Sequence, residues 1–167
     1  MSDIPPSETA QLAEYAALRA EIAQRSSFQQ ALIALNLTSA ATVFGFVLTK
    51  HASEALILLV PVTSSTLGLL WLDHHRNIQL LAAYTRQNWP GNESWEQWRA
   101  GRPLTLQGIV YFIAVAIVFG VAGIGSLVVG WPAGSHVGEW ALCVAGLVLT
   151  VLFVGSYVAA VVVTFRH

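Results

Sequence analysis

The side chains of this chain that could do chemistry are hydroxyls and amides set inside aliphatic runs: Asn36, Thr38, Ser39 and Thr42 in one run, and Thr63, Ser64, Ser65 and Thr66 in the next. In hydrocarbon such groups must find a partner, because leaving a polar group unpaired away from water costs roughly 2–7 kcal/mol. Two arrangements satisfy them. They hydrogen-bond between helices, each bond contributing about 0.6–2 kcal/mol, or several chains set them around an axis as a polar constriction in an otherwise apolar path. On the second reading the pore-lining candidates are Asn36, Ser39, Thr42, Thr63, Ser64, Ser65 and Thr66. Pro61 stands just before the second run and has no N–H to donate, which makes it a candidate kink or gate with nearby hydroxyls recapturing the freed carbonyls. Prolines of this kind also occur in plainly structural helices.

The remaining polar chemistry gathers outside the apolar runs. Asp73, His74, His75 and Arg76 form the densest titratable cluster. Adjacent histidines project about 100° apart on a helix and so lack the i, i+4 spacing that holds a metal on one face. A pH-sensing role and a solvated boundary cluster both fit them. Further along, Arg76, Arg86, Trp95, Trp98, Arg99 and Arg102 combine cations with aromatic rings, a mixture able to stack nucleobases and neutralise phosphates. Glu93 and Glu96 dilute that charge, and arginines with interfacial tryptophans are also what a membrane boundary selects. No nucleophile with a base, paired carboxylates, phosphate loop or metal triad has convincing spacing, so neither catalysis nor a cofactor is expected. The single cysteine, Cys143, lies in an apolar run and allows no disulfide within one chain.

The elements that must position these groups follow from composition. The chain is 55% hydrophobic and only 10% charged, far from the balance of a soluble domain, with a formal charge of -1 that creates no global field for nucleic acid. Four stretches, residues 28–49, 55–72, 104–129 and 140–165, contain no Asp, Glu, Lys, Arg or His and are long enough to span a bilayer. The expected fold is therefore all-α: a polytopic membrane helix bundle with four transmembrane helices, an N-terminal amphipathic helix over residues 1–27, and an extension of the second span within a cytoplasmic segment, residues 73–103. Residues 28–72 and 104–167 then form two transmembrane hairpins. Seven of the eight Lys and Arg residues fall on one side of these spans, Lys50 being the exception, which predicts both termini in the cytoplasm and a cytoplasmic (inner) membrane location. Residues 1–27 carry Asp3, Glu8, Glu14 and Glu21 and no apolar core of signal-peptide length, so the first span is expected to act as an uncleaved insertion signal.

Within the leading segment, Leu12, Tyr15, Leu18 and Ile22 recur at helical spacing after a Ser7 cap, with Glu21 and Arg25 as an i, i+4 pair. More acids than bases argue against membrane-surface binding and for packing on another helix, the natural partner being the extension that continues from Asp73 to Trp89, before Pro90. A short helix is expected after Gly91, capped by Asn92 or Ser94. Trp131 and Trp140 bracket the outer loop and Trp71 the inner end of span two, where indoles anchor at the headgroups. Spans three and four carry small residues four apart, namely Ala116 and Gly120, Ala122 and Ser126, Ala141 and Ala145, Gly146 and Thr150, and Gly155 and Ala159, a spacing that permits close helix contacts within or between chains.

The runs Glu14-Tyr15-Ala16-Ala17-Leu18-Arg19-Ala20-Glu21-Ile22 and Leu70-Trp71-Leu72-Asp73-His74-His75-Arg76-Asn77-Ile78, followed by Tyr84-Thr85-Arg86, resemble small bacterial integral membrane proteins of mostly unassigned function. The similarity covers roughly residues 12–90. Some proteins of this layout resemble membrane effectors of anti-phage defence of the Hailong type, in which a channel is paired with a nucleotidyltransferase making a nucleic-acid ligand. No ligand-site motif is matched residue by residue. The resemblance implies a homo-oligomeric pore or ion channel that depolarises the membrane and is gated from the cytoplasmic side, by a nucleotide, an oligonucleotide or a protein partner. In that arrangement spans one and two line the path and spans three and four pack outside. The alternative is a non-catalytic membrane scaffold or signalling subunit that anchors a cytoplasmic partner.

Overall fold

The computed structural model describes residues 8–49, 54–88, 106–131 and 137–165. Among them there is no strand. The helices are α1 (Glu8–Leu48), a 3-10 turn (Glu54–Leu58) leading into α2 (Leu59–Asn88), α3 (Leu106–Ala116), a π-helical segment (Ile117–Val121), α4 (Ala122–Val129) and α5 (Val137–Phe165). Four helical stretches are long and apolar enough to cross a membrane, with α3, the π segment and α4 together making the third.

The leading segment and the first span are one helix, since α1 contains no proline and meets its first glycine only at Gly45. Arg25 donates to Glu21 Oε1 from Nε at 2.9 Å and from an η nitrogen at 2.7 Å, the i, i+4 pair expected from the sequence. Hydroxyls within the apolar stretches bond back to their own helices: Thr38 to the Ala34 carbonyl at 2.8 Å, Thr42 to Thr38 at 2.8 Å, Thr63 to Leu59 at 3.0 Å and Thr66 to Val62 at 2.8 Å. This bond from residue i to the carbonyl of i−4 is what lets a hydroxyl sit in hydrocarbon with no second helix beside it.

The chain divides into two compact units. One comprises Met1–Gln29 with His74–Pro103. In it the early part of α1 and the late part of α2 run antiparallel, because Phe28 stacks on His74 with ring centroids 5.8 Å apart while the Tyr84 hydroxyl reaches Glu14 Oε1 at 3.3 Å. The anticipated packing of the leading helix on the extension of span two is thus present in these contacts. The Ser7 cap, Trp89 and the short helix after Gly91 lie outside the described residues.

The other unit comprises Gln30–Asp73 with Leu104–His167. Its main core joins Trp71, Leu72, Val115, Phe119 and Phe153, with Leu32 and Ile33 of α1 packed against it. A second core cluster joins Leu58, Leu127 and Cys143. Two glycines set the spacing. A Cβ on Gly68 would lie 2.6 Å from Phe153 Cε2, and one on Gly146 would lie 2.9 Å from Pro61 Cγ, so only hydrogen fits at either position. Trp131 and Trp140 meet edge to face at 5.9 Å.

One expectation needs correction. Pro61 is the third residue of α2 and follows the 3-10 turn, so its missing N–H falls in a first turn, where helices have no internal acceptor to lose. It therefore calls for no kink inside a span, and its ring packs on Gly146 instead. Burial within the chain is uneven among the spans. Within the most apolar stretch of each, 44% of span two and 39% of span three are buried in the chain, against 22% of span four and 6% of span one. Span two meets span four at both Gly68 and Gly146, and span three enters the aromatic core through Val115 and Phe119.

Candidate functional site

Packing divides the hydroxyl and amide belt into an inward and an outward set. The inward set is Asn36, Ser64 and Ser65, which are 1%, 0% and 0% exposed. Asn36 Nδ2 donates to the backbone carbonyl of Val118 at 2.9 Å. That carbonyl belongs to the π segment of span three, where the regular i to i+4 ladder is interrupted. Ser65 Oγ and Thr150 Oγ1 share a hydrogen bond of 3.0 Å between α2 and α5. A Cβ placed on Gly123 would stand 3.5 Å from Thr150 Oγ1 and 3.7 Å from Ser65 Oγ, in ordinary contact, so α4 faces this pair at Gly123. Ser126, also buried, bonds to the carbonyls of Gly123, at 3.0 Å, and Ala122. All four spans thus place polar groups in the bundle interior.

Among the described residues, two oxygens of that interior have no hydrogen-bond partner, Asn36 Oδ1 and Ser64 Oγ. Buried polar atoms without partners are uncommon, and each points to a function or a bound small molecule. Asn36, Ser64 and Ser65 lie inside a single chain, so they do not line a path between chains in this arrangement. The expectation of one continuous pore-lining belt fails for these three because the rotation of α1 and α2 about their axes is set by packing.

The outward set is Thr42, Thr63 and Thr66, joined by Thr38; Ser39 is half-buried and bonds to the Leu35 carbonyl. On α1, the exposed residues Ala31, Thr38, Thr42, Gly45 and Thr49 recur at helical spacing and make one small-residue and hydroxyl stripe on the least covered span. The small-residue pairs of the later spans also separate. Gly146 and Thr150 are used within the chain, whereas Ala141, Ala145, Gly155 and Ala159 are exposed.

Among the proposed ligand-binding residues, Arg76 is exposed on α2, and Arg86 also lies on α2. Trp95, Trp98, Arg99 and Arg102 lie outside the described residues. In the same unit as Arg76, an open groove of about 610 Å³ is lined by Ala17, Ala20, Glu21, Gln24, Arg25, Phe28 and His74, with Arg25 already paired to Glu21. Burial holds His75 below its usual value of 6.5. Among the described residues, no group of three His, Cys, Asp or Glu side chains is placed to hold a metal ion.

Sequence reasoning missed the Val118 carbonyl, because a backbone acceptor and a π segment have no residue signature. It met Thr150 only as a small residue paired with Gly146, although a hydroxyl at a buried small-residue position is the signal that would have found it. Fold and interior together define an all-α, multi-pass membrane protein whose buried polar side chains, among the described residues, are neutral. Comparison with known families, curated proteins and solved structures finds no match to this chain.

Proposed function

We propose that this protein is the subunit of an oligomeric membrane pore, with both termini in the cytoplasm and the bilayer a bacterial inner membrane. The observation that carries the reading is the outward stripe on α1, which puts Thr38, Thr42, Gly45 and Thr49 on a span only 6% buried by its own chain. Helices with small residues along one face approach each other closely in lipid, and a ring of such helices would turn hydroxyls toward an axis. A single bundle is filled by its own side chains, so conduction requires several copies. The pore-lining set contracts to Thr42, Thr63 and Thr66, with Ser39 at its edge. Opening from the cytoplasmic side by a nucleotide or oligonucleotide follows the resemblance to anti-phage channel effectors, and Arg76, Arg86, Trp95, Trp98, Arg99 and Arg102 are the candidates to hold it because they combine cations with aromatic rings. No catalytic step is assigned.

One observation favours the second reading, a non-catalytic scaffold or signalling subunit. The hydroxyls of Thr38, Thr42, Thr63 and Thr66 are already bonded to their own helices and need no water. Liposome ion flux, paired with native mass measurement of the extracted protein, separates the two. The pore predicts an oligomer that leaks when a nucleotide or oligonucleotide is added and a changed conductance in Thr42→Val and Thr63→Val; a strict monomer in tight liposomes would establish the scaffold.

A further inference from the structure

The two partnerless oxygens lie on the same side of the aromatic core. Leu32 and Ile33 of α1 pack against the cluster containing Trp71, Asn36 is the next turn along α1, and Ser64 lies two turns before Trp71 on α2. Trp71 and Tyr111 stand with ring centroids 6.0 Å apart on spans that run in opposite directions, so Ser64, seven residues before Trp71, and Val118, seven residues after Tyr111, come to about one level, and Asn36 is bonded to the Val118 carbonyl. The second cluster, Leu58, Leu127 and Cys143, closes the far side. A polar level is therefore enclosed between two apolar ones.

We infer that Asn36 Oδ1 and Ser64 Oγ form a binding site for water enclosed in each subunit, and that this site together with the Asn36–Val118 hydrogen bond is the latch holding span one to the bundle. Water is the ligand the chemistry selects. Asn36 Oδ1 is an acceptor only, Ser64 Oγ can donate or accept, and a buried water is typically held by two to four such groups. A metal ion would need more oxygens, commonly about six, or a counter-charge, and the apolar stretches contain no carboxylate.

The latch follows from what else holds span one. Among the described residues of α1 that belong to this unit, Asn36 is the one that is fully buried. Its neighbours Leu32 and Ile33 are only partly covered, and the Asn36–Val118 hydrogen bond ties this least buried span to the rest of the unit. The π segment supplies the acceptor, and a π turn within a span is a frequent mark of a moving or functional part.

The test needs no ion flux, so its failure and the failure of the pore reading are separate events. The full chain in lipid nanodiscs is imaged at a resolution that shows waters, and spin labels at Leu37 and Val151, in a Cys143→Ala background, report the distance between spans one and four. A density peak within hydrogen-bond reach of both Asn36 Oδ1 and Ser64 Oγ is expected, with one narrow distance distribution. Asn36→Leu is expected to raise the population of a second distance by about tenfold, the effect of losing one buried hydrogen bond. Ser64→Ala, a smaller change, is expected to lose the peak and broaden the distribution. A dry site in wild type, or a distance distribution that Asn36→Leu leaves unchanged, overturns the inference.

Discussion

Gly68→Ala places a methyl group 2.6 Å from Phe153 Cε2 and 2.8 Å from Cδ2, both well inside contact distance. The ring cannot step aside cheaply. Phe153 is 2% exposed, and the rings of Phe119 and Tyr157 stand 5.9 and 5.8 Å from it, centroid to centroid. Overpacking of this kind costs about 1–3 kcal/mol, and the better helix propensity of alanine offsets about 0.5–1 kcal/mol of it. The net expectation is a destabilisation of about 1–2 kcal/mol, measured as the unfolding free energy in mixed micelles titrated with a denaturing detergent. Gly45→Ala is the control, since nothing stands within 4 Å of its added methyl; it is expected to be neutral or stabilising by under about 1 kcal/mol. Pairing Gly68→Ala with Phe153→Leu should recover part of the loss through a coupling of opposite sign. Equal unfolding free energies for Gly68→Ala and Gly45→Ala would refute the close approach of α2 and α5, and with it the rotation of α2 that buries Ser64 and Ser65.

Two further outcomes are expected. Ser65→Ala and Thr150→Val, made singly and together, should show a coupling of about 0.6 kcal/mol and at most about 1.7 kcal/mol, the range of interhelical hydrogen bonds in membranes; additive losses would mean the pair does not interact. Because burial lowers the His75 pKa from 6.5, the unfolded chain takes up this proton more readily than the folded one. The contribution of His75 to stability is therefore fully present above about pH 6.5 and is lost as pH falls through the window between that value and the lowered one. Unfolding free energies measured from about pH 7.5 down to 5.5 should decline, and His75→Gln should flatten the decline.

The helical class and the places where the chain can cross lipid were legible from the residues alone. Both follow from one-dimensional quantities: an apolar run without charge must leave water whatever its neighbours are, and a run free of proline such as α1 continues as a helix. The Glu21–Arg25 pair was legible for the same reason, since its geometry is fixed by spacing along one helix. The direction in which each polar residue points came instead from how the helices pack. Asn36 and Thr42 belong to one apolar stretch, yet one donates to span three while the other bonds back to its own helix. Ser65 and Thr66 are adjacent, yet one meets Thr150 and the other is exposed. Successive residues on a helix face directions about 100° apart, so a rotation smaller than that moves a hydroxyl from the interior to the surface. Contacts such as Gly68 on Phe153 and Gly146 on Pro61 set that rotation. The partners they bring together are remote in the chain, and a carbonyl such as that of Val118 has no residue type that would reveal it.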